Sequence, residues 1–143
     1  MTILVDTEVV YADHDTDATR HGDADRALTA VYRGEYGQPF VTDYVFDEVV
    51  TVTLARTGSH RAATTVMHRL RGVDPYPTVF ELLPVDLATF EDAIDVFETY
   101  DDQSLSFTDA TTIAACNRRG IDHVLSFDDD FDGLVDRIDP ADV

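Results

Sequence analysis

Acidic side chains stand where several apolar segments of this sequence begin or end. Asp6 closes the run TILVD, Asp128 follows the segment HVLSF, and Asp109 precedes the uncharged segment ATTIAAC. Glu48 has apolar neighbours one helical turn away on both sides, where a carboxylate is costly without a cation or hydrogen-bond donors. If these four acids converge, they raise one another's pKa values, and a hard divalent cation such as Mg²⁺ or Mn²⁺ relieves the repulsion. Such a site favours metal-assisted hydrolysis of a phosphodiester bond.

Three of these acids, Asp6, Asp109 and Asp128, also have a purely structural explanation, whereas Glu48 is harder to explain in that way. Asp6 could cap a helix or form a turn after its strand. Ser106 and Asp109 match a loose capping box, in which the acid also complements the helix dipole. Asp128 could belong to a solvated turn before Phe131. In a chain with 29 acidic residues, any single acid favours the structural explanation, and only convergence favours a metal site.

The elements that must position these acids alternate between strands and helices. Apolar and β-branched segments predict strands at 2–6, 38–42, 78–85, 121–127 and 135–139, with helical patterns between them. The segment 43–58 is β-rich by propensity, but Val45, Val49 and Val52 recur at helical spacing and predict a buried helix. The alternation predicts an α/β fold: one domain spanning 1–143, a three-layer sandwich with a mainly parallel central sheet flanked by helices. Sites in such sheets form at the carboxyl ends of strands, where Asp6 and Asp128 fall.

The composition is that of a globular protein. The chain has 143 residues, of which 44% are hydrophobic, enough for one domain with a packed core. Its single cysteine, Cys116, lies in an apolar segment, so we expect a small buried side chain and no intramolecular disulfide. The N-terminal segment lacks the basic region of a signal peptide, and no run reaches the roughly 18 apolar residues that span a membrane. We therefore expect a soluble cytoplasmic protein with no membrane partner.

The charge of the chain is extreme. The formal net charge is −19, the pI is about 4.2, and all ten basic residues are arginine. Such a chain should repel nucleic acid in dilute buffer, and a salt concentration of roughly 1 M largely screens that repulsion. An acidic surface without lysine resembles the proteins of salt-loving archaea, and an acidic domain with a basic partner is the alternative. Composition leaves both explanations open.

Four segments taken in order resemble a known family: ILVDT, DEVV, LSFTDA and LSFDDDF. Across nearly the whole chain the sequence is similar to a PIN domain, specifically to a VapC-type toxin ribonuclease. The resemblance implies helices around a parallel sheet, an acidic pocket for Mg²⁺ or Mn²⁺, and endoribonuclease activity. It also implies a cognate antitoxin as partner and a homodimer, for which exposed apolar residues on the helices between 44 and 72 would make a face.

The resemblance assigns metal binding and catalysis to four acids: Asp6, Glu48, Asp109 and Asp128. Ser126 occupies a position where this family often has a small hydroxyl residue, which either orients the metal site or stabilises the turn. Asp47 remains an alternative to Glu48, although a shift of one residue turns a helical side chain by about 100°. Asp130 remains an alternative to Asp128.

One segment is basic. No acid occurs from 49 to 73, a stretch that contains four arginines: Arg56, Arg61, Arg69 and Arg71. They either form a solvated face or contact RNA phosphates or an acidic antitoxin segment, because arginine binds both in a bidentate manner.

The leading hypothesis is a metal-dependent endoribonuclease that is the toxin of a type II toxin–antitoxin pair, with its RNA substrate unspecified. The alternative is a non-catalytic PIN-like interaction module that acts through a protein partner and gains no stability from metal. A phosphoacceptor receiver domain also clusters acids at strand ends, but it uses a lysine that this chain lacks.

Overall fold

A central sheet of five parallel strands organises the chain, which a computed structural model describes over residues 1–143. The strands are β1 (Thr2–Val5), β2 (Gln38–Thr42), β3 (Glu81–Leu83), β4 (His123–Leu125) and β5 (Arg137–Ile138). The helices are α1 (Thr7–His14), α2 (His21–Tyr32), α3 (Asp43–Thr57), α4 (His60–Arg71), α5 (Leu87–Thr99) and α6 (Phe107–Arg119). The strand order is β3-β2-β1-β4-β5, and every neighbouring pair is parallel. The predicted α/β sandwich is confirmed.

Side chains of the middle strands alternate between two buried faces. Ile3, Val5 and Leu125 belong to the larger core cluster, which they form with apolar residues of α1 to α4. Leu4 and Val124 point the other way and pack with residues of α6. Because both faces are covered, the strands carry continuous apolar runs rather than an apolar–polar alternation, as buried parallel strands do.

Helix α3 forms despite its β-branched composition, as the spacing of its valines predicts. Val45 and Val49 are fully buried, and the hydroxyl of Thr42 accepts a hydrogen bond from the Val45 amide at the first turn. Burial of the stripe outweighs intrinsic propensity, which differs by less than about 1 kcal/mol per residue among such residues. The helix thereby places Glu48 beside the core.

The chain reverses direction across the sheet between β1 and β4. After β1 it continues to β2 and β3 on one side, and it returns through α5 and α6 to β4 on the other side. The Asp6 amide donates to the Leu125 carbonyl at 3.0 Å, which extends the pairing of β1 and β4 by one residue. Such a switch point leaves a crevice at the carboxyl ends of its two strands, where ligands of open α/β sheets bind.

Several predicted elements differ from the structure in their bounds. The strand predicted at 78–85 is limited to Glu81–Leu83, and at its C-terminal end Pro84 has no N–H to donate to the ladder. The strands predicted at 121–127 and 135–139 are limited to His123–Leu125 and Arg137–Ile138. Helix α2 begins at His21, three residues before Ala24, where the segment ADRALTAVYRGEYG with its helical spacing of apolar residues starts. Cys116 is buried as expected, and burial raises the pKa of its thiol to about 12. None of the helices has the length and apolar character to cross a membrane.

The turn between α2 and β2 offers a test of strand pairing. Gly34 and Gly37 both have positive φ, but a Cβ on Gly34 would meet no atom within 4 Å, whereas one on Gly37 would lie 1.9 Å from the Met1 carbonyl oxygen. That oxygen accepts a hydrogen bond from the Gln38 amide beside β1. We expect Gly34→Ala to lower the free energy of unfolding by about 1–2 kcal/mol and Gly37→Ala by about 1 kcal/mol more. Urea denaturation measures both, and equal losses would contradict the close approach.

Candidate active site

An open pocket of about 490 Å³ lies at the carboxyl ends of β1 and β4. Six carboxylates and a single arginine are among the ten residues that line it: Asp6, Thr7, Glu8, Arg20, Glu48, Ser106, Asp109, Phe127, Asp128 and Asp129. All four acids singled out in the sequence are therefore brought together, from β1, α3, α6 and the segment after β4. Their chemical roles stay predictions.

Asp6 is the most buried of these acids, with 6% of its surface exposed. It is the N-cap of α1, where its Oδ1 accepts from the Thr7 amide at 2.9 Å and its Oδ2 from the Ser126 hydroxyl at 2.7 Å. Burial raises the pKa of Asp6 from 3.8 to about 7, although these two hydrogen bonds oppose the shift, and the charges of Asp109 and Glu48 add to it.

Ser126 joins the two strand ends. The fully buried hydroxyl donates to Asp6 and accepts from the Asp128 amide at 3.0 Å. The Ser126 amide donates to the Ile138 carbonyl at 3.1 Å, and its own carbonyl accepts from Arg137 at 3.0 Å. Two roles were considered for Ser126: orienting the metal site and stabilising the turn. The same hydrogen bonds, to Asp6 and from the Asp128 amide, would serve both roles.

Asp109 combines a structural contact with a place in the pocket. Its amide donates to the Ser106 hydroxyl at 3.1 Å and its Oδ2 accepts from the Ser106 amide at 2.9 Å, which completes a capping box at the start of α6. The second carboxylate oxygen accepts no hydrogen bond from the protein. Burial is the main cause that raises the pKa of Asp109, and the charges of Asp128 and Glu48 add to it.

The two alternative acids lie outside the pocket. Glu48 is half-buried and lines it, whereas Asp47 is exposed and borders a shallow depression on the other side of α3. Asp128 lines the pocket and caps the following turn, where its Oδ1 accepts from the Asp130 amide at 2.9 Å. Partial desolvation, followed by the charges of Asp128 and Asp129, raises the pKa of Asp130.

The donor set of the pocket fits a hard divalent cation. Its ligating atoms are carboxylate and hydroxyl oxygens, without histidine or cysteine, and this is the chemistry of Mg²⁺ and Mn²⁺ sites. The buried Thr7 hydroxyl makes no hydrogen bond within the protein, which indicates a water or ligand as its partner. Asp6, Glu48, Asp109 and Asp128 are the residues that would hold the ion.

The spacing of the acids favours an ion that keeps much of its water. Only the neighbouring acids Asp128, Asp129 and Asp130 place ligand atoms within 4.8 Å of one another as a group of three. Asp6, Glu48 and Asp109, which separate elements contribute, do not form such a group of three. Mg²⁺ is usually bound through one or two carboxylates and several waters, so this spacing suits it.

Sequence reasoning missed four residues of the pocket: Thr7, Glu8, Arg20 and Phe127. Arg20 forms no ion pair, and its guanidinium lies 4.8 Å from the centre of the Phe127 ring. It occurs in the polar segment DHDTDATRHGDAD, which has no periodic pattern, so its position depends on the path of the chain between α1 and α2. Thr7 and Glu8 follow Asp6 directly in the sequence, and this adjacency could have indicated that they line the same pocket.

Two arginines of the predicted basic segment are engaged within the protein. Arg56 binds both carboxylate oxygens of Glu8, at 2.8 and 3.0 Å. Arg69 is 27% exposed and pairs at 2.6 Å with the buried Asp13, whose pKa burial raises and Arg69 lowers. These two side chains connect α3 and α4 to α1, so they do not form a free basic face.

The remainder of that segment is open to solvent. Arg61 and Arg71 are exposed and form no ion pair. Among the large apolar side chains between 44 and 72, Leu54 is the one that is exposed. RNA or antitoxin contact by the arginines and a dimer face on these helices both stay predictions.

Removal of the Asp6 charge should stabilise the protein without metal. The pKa of Asp6 is raised from 3.8 to about 7 in the folded state, so the folded chain retains a proton that the unfolded chain releases between pH 4 and 7. The contribution of Asp6 to the free energy of unfolding is therefore fully present below pH 4, and it is lost as the pH rises through 7. We expect Asp6→Asn in EDTA to raise the free energy of unfolding by about 2–4 kcal/mol at pH 8 and to change it little at pH 4.

Asp95→Asn is the matched control, because Asp95 is exposed on α5 and its replacement removes the same charge from the chain. Denaturation at about 1 M salt, where general charge repulsion is screened, measures both variants. An equal gain in both, or a gain for Asp6→Asn that is independent of pH, would contradict a buried, proton-binding carboxylate.

The fold and the sequence are similar to those of known proteins. The crystal structure of the Mycobacterium tuberculosis toxin VapC20, described as cleaving the Sarcin-Ricin loop, has a TM-score of 0.77 and 29% identity over 90% of this chain and 92% of its own. FitAcB from Neisseria gonorrhoeae has a TM-score of 0.68 at 16% identity, over 96% of this chain and 97% of its own. VapBC2 from Rickettsia felis, solved with a DNA fragment from its promoter, has a TM-score of 0.69 at 5% identity, over 96% and 98% of the two chains.

The latter two structures show the shared fold alone, and no curated protein matches the sequence. All three solved relatives are bacterial, so they do not support the archaeal source that the composition suggests. The PIN domain family matches residues 3–136, nearly the whole sequence. This chain therefore belongs to the PIN domain family.

Proposed function

We propose that this protein is an endoribonuclease that depends on Mg²⁺ or Mn²⁺ and is the toxin of a type II toxin–antitoxin pair. The observation that carries the proposal is the convergence of Asp6, Glu48, Asp109 and Asp128 on one pocket at the switch point of the sheet. Membership of the PIN domain family and 29% identity to VapC20, a toxin described as cleaving the Sarcin-Ricin loop, support the assignment to RNA.

In the proposed reaction, the protein supplies a fixed set of carboxylates. A divalent ion held by Asp6, Glu48, Asp109 and Asp128 would lower the pKa of a water molecule and would stabilise charge that develops on the phosphate. Asp6 and Asp109 are held rigidly, because Ser126 and Ser106 fix their carboxylates by hydrogen bonds. Glu48 accepts no hydrogen bond from the protein, so its side chain is free to adjust to the ion or its waters.

The charge of the chain determines the conditions in which RNA can approach. Six carboxylates line the pocket beside one arginine, and the whole chain carries −19. Bound divalent cations would offset the charge of the pocket carboxylates, and dissolved salt screens the net charge of the chain. We therefore propose that cleavage increases between roughly 0.1 and 1 M salt, the reverse of the usual weakening of nucleic-acid binding by salt.

An antitoxin is the proposed protein partner. A toxin–antitoxin complex from Klebsiella pneumoniae has the same fold, with a TM-score of 0.66 at 16% identity. The exposed and unpaired Arg61 and Arg71 on α4 are available for an acidic segment of such a partner. Homodimer formation is proposed by analogy with the family's toxins.

The decisive experiment is cleavage of total RNA by the purified protein at about 1 M salt with Mg²⁺ or Mn²⁺. We expect Asp109→Asn to lose at least about 100-fold in rate, because it removes a charge from the ion site while the amide can maintain the capping box. Asp95→Asn, which removes an exposed charge from α5, should cleave as the wild type does. Cleavage that persists in excess EDTA, or that proceeds at the full rate in Asp109→Asn, would contradict the proposed mechanism.

A thermal melt separates this proposal from a non-catalytic interaction module. Mn²⁺ at 100 times its Kd should raise the free energy of unfolding by about 2.7 kcal/mol, which is several degrees in Tm for a chain of this size. The gain should be reduced in Asp6→Asn and kept in Asp95→Asn. An unchanged melting temperature in the wild type would favour the interaction module.

A further inference from the structure

A second, smaller pocket adjoins the acidic pocket. It measures about 190 Å³ and shares three lining residues with the acidic pocket: Glu8, Arg20 and Phe127. Tyr11 and Arg56 line it as well. Pockets for drug-sized ligands typically span roughly 300–1,000 Å³, so this cavity suits a single ring system. A polymer bound across the acidic pocket has its neighbouring unit next to this cavity.

Stacked guanidinium and aromatic groups form the walls of the second pocket. Arg20 lies 4.8 Å from the centre of the Phe127 ring, and Arg56 lies 4.6 Å from the centre of the Tyr11 ring. Aromatic rings and guanidinium planes are the surfaces on which proteins stack unpaired RNA bases. The Arg56 side chain is 46% exposed.

The charge of the second pocket is opposite to that of the rest of the molecule. Its lining contains two arginines and one glutamate. Arg56 and Glu8 neutralise each other through two hydrogen bonds, which leaves the unpaired Arg20 as a net positive charge. In a chain with net charge −19, Arg20 therefore provides a local site for a phosphate.

The distance between the two pockets is fixed by the backbone. Phe127 lies between Ser126 and Asp128, and the Ser126 hydroxyl binds both the Asp6 carboxylate and the Asp128 amide. The hydrogen bonds that hold the acids thus also hold the ring against which Arg20 packs. A group in the second pocket has a set position relative to the acids.

We propose that the second pocket is a nucleotide subsite, which binds the nucleotide next to the phosphodiester that is cleaved. Its base stacks on the Arg20 and Phe127 wall, and the Arg20 guanidinium contacts its phosphate. The inference rests on the proposed ribonuclease function and adds the residues that select the cleavage position. RNA accounts for both the stacking surfaces and the continuity with the acidic pocket, whereas an acidic peptide accounts for the arginine alone.

The test combines a protein variant with a base deletion. The substrate is a short oligoribonucleotide that contains the wild type's mapped cleavage site, with versions that carry one abasic nucleotide on either side of the bond. In the wild type, one of these versions should lower kcat/KM roughly tenfold, because a stacked base is lost. Arg20→Gln should lower kcat/KM roughly tenfold on the intact substrate and show little further loss with that abasic version.

Arg33→Gln is the matched control, because Arg33 is exposed, forms no ion pair, and follows the last residue of the helix that Arg20 precedes. It should behave as the wild type does with every substrate. If Arg20→Gln matches Arg33→Gln, or if the protein and base losses simply multiply, the subsite is overturned while the ribonuclease assignment stands.

A binding measurement decides the inference independently of cleavage. In the Asp109→Asn background, fluorescence anisotropy with a single-stranded oligoribonucleotide of mixed sequence, which requires no mapped cleavage site, should show roughly tenfold weaker binding with Arg20→Gln and unchanged binding with Arg33→Gln. If the wild type cleaves no RNA, the proposed function fails, and this comparison alone still supports or overturns the subsite. Weakened binding of a glutamate-rich peptide without weakened RNA binding overturns it in favour of a protein contact.

Discussion

The hydroxyl group of Ser126 forms the contact on which the site depends. By donating to Asp6 and accepting from the Asp128 amide, it connects the ends of two strands that the chain reaches 120 residues apart. It is also the strongest influence that opposes the burial-driven rise in the pKa of Asp6. Without that donor, the buried carboxylate would be harder to ionise and the segment after β4 would lose its anchor.

The acids of the pocket stabilise the fold through the same side chains that serve the site. Asp6 caps α1, Asp109 completes the capping box of α6, and Asp128 caps the turn that follows β4. The structural explanation of each acid is therefore correct and does not compete with the functional one. Capping positions an acid at a helix N-terminus, where the dipole and the free amides partly offset its charge. Burial, together with the repulsion that remains, raises the pKa values of Asp6 and Asp109, so the folded chain gives up stability at the proposed metal site.

Local patterns in the sequence account for the elements and for the four acids, but not for their neighbours. The valine stripe predicts α3, and apolar runs that end in acids locate Asp6 and Asp128, because strand ends in a parallel sheet share one edge. The ion pairs of Arg56 and Arg69 were not predicted, because their carboxylate partners lie 48 and 56 residues away in the sequence, on α1. Arg20 was missed because its place depends on the chain path after α1. Periodicity carries no information on such non-local contacts.

The distribution of cations explains how an acidic chain could act on RNA. Five of the ten arginines are paired with acids: Arg26, Arg56, Arg69, Arg118 and Arg137. Of the unpaired arginines, Arg20 alone lines the acidic pocket. Arginine keeps its charge at any working pH and can stack on an aromatic ring while it binds a phosphate, so one residue at this position can serve both contacts. The positive charge that the proposed substrate requires must otherwise come from bound and dissolved ions. The proposed need for divalent metal and the proposed preference for salt would thus have one physical origin, the shortage of positive charge on the chain.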